Sequence, residues 1–149
     1  MPAFLDSLAF RPVATISHKT LLAFRRDAGW RNTEATPDSA GRAGGQVQWG
    51  TAVLAQKVIA IVRMELAPPQ FCYVSDLIVL RGQRGRGVGA WLMARVERHC
   101  LALGIPRVLL QPENGTEAFY RKLHFVADPL APGFLKKELA PIRRHMLPF

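Results

Sequence analysis

The residues with the clearest chemical potential form the stretch LRGQRGRGVGAWLM, from Leu80 to Met93. It interleaves arginine with glycine and then turns apolar, as the start of a helix would. Glycine leaves its backbone N–H open to a close approach, and arginine adds a permanent positive charge. Because a helix N-terminus also carries about half a positive charge and unpaired donors, this combination predicts an anion site, most simply for a phosphate.

Three known phosphate-binding or nucleic-acid-binding patterns do not fit this stretch. The chain contains no GxxxxGK[ST] sequence of a Walker loop. Gly85, Gly87 and Gly89 have the wrong spacing for the GxGxxG of a dinucleotide fold. An RGG-type RNA-binding segment would be repeated, whereas this stretch occurs once and leads into an amphipathic helix.

The elements before the stretch follow from caps and periodicity. Ser17 predicts the N-cap of a helix through HKTLLAFRRDAG, which Gly29 ends. The polar segment 31–45 is rich in glycine and predicts a mobile loop. The runs QVQWGTAVLA and KVIAIVRMEL predict an antiparallel hairpin with its turn at Gln56–Lys57. FCYVSDLIVL then predicts a strand that is buried on both faces.

The elements after the stretch alternate between helix and strand. A helix over 88–103 has a predicted inward stripe at helical spacing, namely Val88, Leu92, Val96, Cys100 and Leu103. The strand PRVLLQ, the short helix GTEAFYRKL and a hairpin of HFVAD with FLKKEL follow. Strand, loop, helix and strand imply a parallel pair with a crossover, beside the antiparallel hairpin. We therefore predict an α/β fold of the α+β type, with a mixed, mostly antiparallel central sheet and helices on both faces.

Composition limits the remaining classes. The 149 residues fit a single domain, 1–149, and no apolar run is long enough for a membrane span. Cys72 and Cys100 form no CxxC pair, and no signal peptide is visible, which favours a reducing cytoplasm. The net charge of +9 suits anionic cofactors, acidic substrates or nucleic acid. The four histidines have no metal-ligand spacing, so we expect no metal site.

Two motifs together resemble those of the GCN5-related N-acetyltransferases. Arg84 to Gly89, RGRGVG, matches the family pattern [RQ]xxGx[GA]. Thirty residues after Arg84, ENGTEAFYRKLHF resembles the family segment NxxAxxFYxKxGF, with one residue fewer between the asparagine and the phenylalanine. The corresponding residues are Asn114, Phe119, Tyr120, Lys122 and Phe125. The alanine, Ala118, stands one position late, and His124 replaces the usual glycine. The resemblance covers most of the chain, from about Val47 to Leu139.

The resemblance implies a fold in which the parallel strand pair is splayed around acetyl-coenzyme A, the cosubstrate. In the family the glycine loop holds the pyrophosphate through backbone N–H groups, and the strand 77–80 pairs with the pantetheine, with the Val79 N–H on the thioester oxygen. The implied cofactor-binding residues are Ile78, Val79, Arg84, Gly85, Arg86, Gly87, Val88, Gly89, Ala90, Asn114 and Tyr120. Asn114 would contact the pantetheine arm, unless it serves as a helix N-cap.

The implied reaction is direct attack of a neutral amine on the thioester. The family resemblance makes Tyr120 the proton donor to the leaving thiolate; packing in the core is the alternative. Asp76 and Glu65 are candidate general bases, although carboxylates at such positions are more often surface or salt-bridging residues. Trp30, Trp49 and Phe71 are candidates for the acceptor pocket or for the core. Four arginines near the predicted loop 31–45 are candidates for holding an anionic acceptor or for solvated surface charge, namely Arg25, Arg26, Arg31 and Arg42.

The leading prediction is therefore an N-acetyltransferase that acts on a primary amine of a small molecule or peptide. Two alternatives stay open. One is acetylation of aminoacyl-tRNA or another nucleic-acid-linked amine; the other is a non-catalytic acyl-coenzyme A sensor, against which an intact Tyr120 argues. The expected partners are acetyl-coenzyme A and the acceptor, without a membrane, and a homodimer stays open.

Overall fold

The computed structural model describes residues 3–30 and 45–139, which form one seven-stranded sheet with helices on both faces. The strands are β1 (Ala9–Val13), β2 (Gln46–Leu54), β3 (Lys57–Ala67), β4 (Phe71–Val79), β5 (Arg107–Leu110), β6 (Val126–Ala127) and β7 (Leu135–Glu138). The helices are α1 (Ala3–Asp6), α2 (His18–Asp27), α3 (Val88–Ala102) and α4 (Glu117–Lys122), with a 3₁₀ turn at Arg81–Gln83. Apart from Gly45, the predicted loop 31–45 lies outside the described residues, as does the tail 140–149.

The strand order is β1-β2-β3-β4-β5-β7-β6. The pair of β4 and β5 is parallel, and the other neighbours in the sheet are antiparallel. The prediction of a mixed, mostly antiparallel sheet with a parallel pair is confirmed. The β2–β3 turn lies at Ala55 and Gln56 rather than at Gln56–Lys57, because Lys57 already pairs with Leu54. Both turn residues have positive φ, 49° and 68°, as in a type I′ hairpin.

Helix α3 covers one face of the sheet. Val88, Leu92, Val96 and Cys100 of the predicted stripe are buried against the sheet residues of the main core. Leu103 is 43% exposed, so its assignment to the stripe was wrong: the helix ends at Ala102 and Leu103 is its C-cap. No helix among the described residues is both long enough and apolar enough to cross a bilayer.

Helix α2 covers the opposite face. Its N-cap is the predicted Ser17, whose Oγ accepts a hydrogen bond from the Thr20 N–H at 3.0 Å. Leu21 and Phe24 pack in a second core cluster, which also contains Trp49 and Ile61 from the sheet. This anchoring fixes the end of α2 beside β4, where the site described below begins.

Two features at the ends of the sheet differ from the sequence interpretation. β1 and α1 were not predicted; β1 is an edge strand with mostly exposed residues, and an edge tolerates Pro12, which lacks an N–H for the ladder. β4 was predicted to be buried on both faces, but buried residues alternate with partly exposed ones over much of its length. The partly exposed positions Tyr73, Ser75 and Leu77 line a cleft.

We expect Gly50→Ala to destabilise the sheet, because the added methyl group has no room. A Cβ at Gly50 would lie 2.9 Å from Cε1 of Phe10 and 3.0 Å from Cγ1 of Val62. Overpacking of this kind lowers the free energy of unfolding by about 1–3 kcal/mol. Urea unfolding measures the change. Gly82→Ala is the control, since its Cβ would meet nothing within 4 Å. Equal stability of the two variants would contradict the packing described here.

Candidate active site

The site lies where β4 and β5 stop pairing. Their parallel register covers three residue pairs, from Cys72–Val108 to Val74–Leu110. Pro112, two residues beyond the last pair, has no N–H to continue the ladder. The two chains then diverge around a cleft of about 860 Å³, which is lined by β4 beyond Val74 on one side and by residues 111–114 on the other.

A bulge shapes the β4 wall of the cleft. Between the pairs Ile61–Ile78 and Arg63–Ser75, β4 has one residue more than β3. Asp76 lies in this bulge with φ of +51°, in the left-handed region that Asp tolerates better than most residues. The bulge bends the strand and changes the direction of its backbone groups on the cleft side.

A buried ion pair holds the bulge in place. Nη2 of Arg25, on α2, lies 2.9 Å from both carboxylate oxygens of Asp76, and Nε lies 3.2 Å from Oδ1. The two side chains are only 9% and 10% exposed. Both oxygens of Asp76 are thus already occupied, and proton transfer to this carboxylate would compete with the ion pair. Arg25 is likewise engaged within the protein, in contrast to its suggested contact with an anionic acceptor.

The glycine-arginine loop is fixed to both neighbouring elements. The backbone N–H of Arg81 donates to Oδ2 of Asp27 at the end of α2, at 2.7 Å. Nε of Arg84 donates to the Val79 carbonyl at 3.0 Å, at the end of β4. Gly85 and Gly87 have φ of +77° and +85°, which a side chain would strain. The loop is therefore preset in a conformation that the glycines make accessible.

Arg86 differs from the rest of the loop. Its guanidinium stacks on the ring of Phe4 in α1, with Cζ 3.5 Å from the ring centroid, and Nη1 donates to Oε1 of Gln83 at 3.0 Å. Among the described residues that line the cleft, Arg84 is present and Arg86 is not. The sequence prediction grouped the two arginines, but the structure gives them different surroundings.

The first turn of α3 faces the cleft. Val88, Gly89 and Ala90 all line it, and the N–H groups of a first turn have no carbonyl partner within the helix. Gly89 lets α4 approach, because a Cβ there would lie 3.2 Å from Cζ of Phe119. The arrangement can accept an anion at this end of the cleft through backbone donors and the helix dipole.

Tyr120 of α4 also lines the cleft but is otherwise packed. Its ring makes edge contacts with Phe119 and Phe125, at centroid distances of 4.9 and 5.6 Å, and the residue is 7% exposed. Burial, with a smaller contribution from the negative charge of Glu113, raises the pKa of Tyr120 to about 12. The hydroxyl is therefore protonated at neutral pH.

The remaining predicted residues divide between the cleft and the core. Ile78, Val79 and Asn114 line the cleft, and the N-cap position of α4 is Thr116, so Asn114 is not the cap. Glu65, on β3, is 1% exposed, and its Oε1 lies 3.7 Å from Nη1 of Arg63. It does not belong to the cleft lining that the described residues form.

The aromatic candidates for the acceptor pocket divide in the same way. Trp30 lines the cleft, Trp49 is a core residue at 1% exposure, and Phe71 does not belong to the described lining. Glu113 also lines the cleft, and the sequence analysis did not single it out. Its position beside Asn114 in the second motif was the available signal.

The model of the acetyltransferase (GNAT) family matches residues 15–125 of this sequence, which includes the loop, the bulged strand and Tyr120. The chain belongs to this family. It is accordingly an acyltransferase, and the predicted fold, with a parallel pair splayed at the site, is that of a GNAT protein. No curated protein matches the sequence.

Solved structures share the fold at low sequence identity. A protein from Desulfovibrio desulfuricans, described as an acetyltransferase of the GNAT family, has a TM-score of 0.68 at 16% identity, over 89% of this chain and 99% of that one. PaiA N-acetyltransferase from Thermoplasma acidophilum, in complex with coenzyme A, has a TM-score of 0.64 at 12% identity, over 87% of this chain and 99% of its own. N-acetylglutamate synthase from Neisseria gonorrhoeae, in complex with coenzyme A and L-arginine, has a TM-score of 0.69 at 13% identity. The match covers 90% of this chain but only 34% of the synthase chain.

Within residues 3–30 and 45–139, no group of three or more His, Cys, Asp or Glu side chains is placed to hold a metal ion. The polar side chains that line the described cleft are those of Tyr73, Ser75, Asp76, Gln83, Arg84, Gln111, Glu113, Asn114, Thr116 and Tyr120.

The ion pair behind the bulge can be tested by a double-mutant cycle. Removing one partner of a buried pair leaves the other charge uncompensated, so Arg25→Gln and Asp76→Asn should each lower the free energy of unfolding by about 3 kcal/mol. The double variant should lose much less than the sum. Urea unfolding provides the values.

The exposed pair of Arg107 and Glu138 supplies the matched control. It has a similar separation of 2.8 Å, but its side chains are 43% and 51% exposed. Glu138→Gln should change stability by less than about 1 kcal/mol. Additive effects of the Arg25 and Asp76 substitutions would show that the two side chains do not hold the bulge together.

Proposed function

We propose that this protein is an acetyl-coenzyme A-dependent N-acetyltransferase that acetylates a primary amine of a small molecule or peptide. The observation that carries the proposal is the cleft between β4 and β5, with the glycine loop, the α3 N-terminus and Tyr120 among its walls. Two buried free cysteines fit a reducing, cytoplasmic setting.

The residues present fit the coenzyme. Gly85 and Gly87, with the first-turn N–H groups of Val88, Gly89 and Ala90, would hold the pyrophosphate, because these donors lack helical partners and the glycines allow close approach. Arg84 would add attraction from its position on the Val79 carbonyl. Arg86, which stacks on Phe4 outside the described cleft lining, would contribute only a nearby positive charge to coenzyme binding.

The β4 wall would hold the pantetheine arm. Beyond Val74 the strand has no β5 partner, so its backbone groups can pair with the amides of an extended ligand as an added strand would. Ile78 and Val79 would provide these groups, and the Val79 N–H would stabilise the thioester oxygen as negative charge develops. Asn114, on the opposite wall, would contact the same arm.

Tyr120 would donate the proton that the departing thiolate takes. A pKa of about 12 makes an isolated tyrosine a weaker acid than a simple thiol. The burial that disfavours tyrosinate also disfavours a thiolate leaving beside it, however, and this reduces the mismatch between the two acids. As general base, Asp76 would have to act from within its ion pair, and Glu65 would act through a relay, since it lies outside the described cleft lining.

A nucleic-acid-linked amine is the second candidate acceptor, favoured by the net charge of +9. Retention of RNA that falls steeply with salt during purification would support it. The small-molecule or peptide amine remains the leading proposal, because the acetyl-transfer site needs no nucleic-acid surface for its chemistry.

Tyr120→Phe distinguishes an enzyme from a sensor. The variant keeps the ring, so the affinity for coenzyme A should stay close to wild type, whereas kcat should fall by about 10²–10⁴-fold. The loss should shrink with acyl donors whose thiols are more acidic, because they need less help in leaving. Steady-state kinetics and calorimetry measure these quantities. Wild-type turnover by the variant would reduce Tyr120 to a packing residue.

Gly87→Val tests the loop. A branched side chain at φ of +85° strains the loop and blocks the backbone donors, so binding of coenzyme A in calorimetry should be lost. Gly104→Val is matched to it: φ is +77° at the far end of the same helix, with nothing within 4 Å of the added Cβ. This control should lose stability but retain coenzyme binding. Unchanged affinity in Gly87→Val would rule out the loop as the phosphate site.

A further inference from the structure

The acceptor poses an electrostatic problem that the coenzyme site does not solve. A simple primary amine has a pKa near ~10, so it reaches the enzyme at neutral pH as an ammonium ion and must lose a proton before it attacks. A carboxylate at the cleft would attract the ammonium and take that proton. Among the described residues, the candidates are Glu65, Asp76 and Glu113, and their surroundings differ.

Two of these three carboxylates already lie beside an arginine of the protein. Glu65 is 1% exposed beside Arg63 and outside the described cleft lining. Asp76 lines the cleft, but Arg25 occupies both of its oxygens and the pair holds the bulge. Using Asp76 as a base would weaken the contact on which the β4 wall depends.

Glu113 combines access with a fixed backbone. It lines the cleft on the wall opposite Asp76, three residues beyond the end of β5, and it is exposed to solvent. Its carbonyl accepts hydrogen bonds from both the N–H and the Oγ1 of Thr116, at 3.0 and 2.7 Å, which anchors this residue to the start of α4. The loop therefore holds the Glu113 backbone in a defined position at the cleft that Tyr120 also lines.

We propose that Glu113 is the acceptor-side carboxylate, which binds the ammonium form of a cationic primary amine and takes its proton. This inference rests on the proposed acetyl transfer and deepens it, because it selects cationic over anionic acceptors. The other titratable or charged groups of the described cleft are Tyr73, Asp76 with its partner Arg25, Arg84 and Tyr120. Arg84 donates a hydrogen bond to the Val79 carbonyl at the end of β4, and in the proposed function its charge serves the pyrophosphate.

Glu113, Tyr120 and solvent together account for every proton that moves in the reaction. Glu113 takes the first proton from the ammonium ion and releases it to solvent, to which it is exposed. The amine nitrogen then bonds to the acyl carbon, the carbon–sulfur bond breaks, and sulfur takes the proton of Tyr120. The second proton of the nitrogen leaves to solvent, and Tyr120 regains a proton from solvent. One amide, one thiol and one solvent proton result from one ammonium ion and one thioester.

The two residues are also coupled electrostatically. The negative charge of Glu113 contributes to the raised pKa of Tyr120. Removal of this charge, as in Glu113→Gln, should therefore lower the pKa of Tyr120.

A series of small primary amines tests the role directly. The probes run from ordinary alkylamines to fluoro-substituted ethylamines that are neutral at pH 7. Glu113→Gln should lower kcat/KM for the alkylamines by about 10²-fold or more, because the variant neither attracts nor deprotonates the ammonium ion. The deficit should shrink toward wild type for the fluorinated amines, and Glu113→Asp should restore part of the activity. An equal loss across the series would make the residue structural and overturn the proposal.

Glu117→Gln is the matched control. Glu117 is an exposed carboxylate four residues further on, paired with Arg121 outside the described cleft lining, so its removal should leave the series unchanged. Calorimetry with coenzyme A distinguishes failure of the proposed function from failure of the Glu113 assignment. Wild-type protein that does not bind coenzyme A overturns the proposed function itself. Protein that binds it but acetylates none of the cationic amines overturns only the assignment of Glu113.

A second measurement needs no acceptor. A rapid pH jump followed by tyrosinate absorbance reports the ionisation of the chain's two tyrosines before unfolding, and Tyr120→Phe assigns their signals. Glu113→Gln should move the Tyr120 transition to lower pH, because a nearby negative charge is lost. Glu117→Gln should not move it. An unmoved transition in Glu113→Gln would show that the carboxylate is too far from Tyr120 for this role.

Discussion

Backbone N–H and C=O groups need partners, and two parallel strands that stop pairing after three residue pairs expose a row of them. This constraint governs the rest of the site. Pro112 removes one donor from the diverging segment, and the bulge at Asp76 redirects groups on the other strand. The cleft is therefore lined by polar backbone that a ligand with amides along its length can satisfy. The family relationship agrees with this physical description of the opening.

Charge is distributed along the cleft in a way that separates two tasks. At the loop, the α3 N-terminus, the glycines and Arg84 create a positive environment. On the walls beyond, Asp76 is neutralised by Arg25, and Glu113 leaves a negative charge exposed. An anionic cosubstrate and a cationic acceptor can thus occupy neighbouring parts of one cleft without competing for the same groups. The net positive charge of the whole chain does not reveal this local division.

The sequence predicted the elements whose signals come from neighbouring residues in the chain. The periodicity of Val88, Leu92 and Val96 gave α3, and the Ser17 cap gave α2, because each depends on neighbours within a few turns. The order of elements and the two motifs then gave the sheet and the loop. Leu103 was misassigned, since a spacing pattern does not show that a helix has ended one residue earlier.

Contacts between distant segments were beyond this kind of reasoning. The partnership of Arg25 with Asp76 crosses from a helix to a bulge, and nothing in either local sequence indicates it. The stacking of Phe4 on Arg86 depends on α1, a helix of four residues whose pattern is too short to detect. The sequence left Asp76 open between a general base and a salt-bridging carboxylate, and the fold pairs it with Arg25.

The Arg25–Asp76 contact also links the histories of two positions that lie 51 residues apart. A replacement at Asp76 must tolerate a left-handed backbone and also satisfy a buried guanidinium, and few residues do both. A change at either position therefore favours a compensating change at the other, and descendants of a common ancestor should inherit them as a pair. The same linkage applies to engineering: a helix α2 transplanted from a relative would have to bring the matching bulge residue with it.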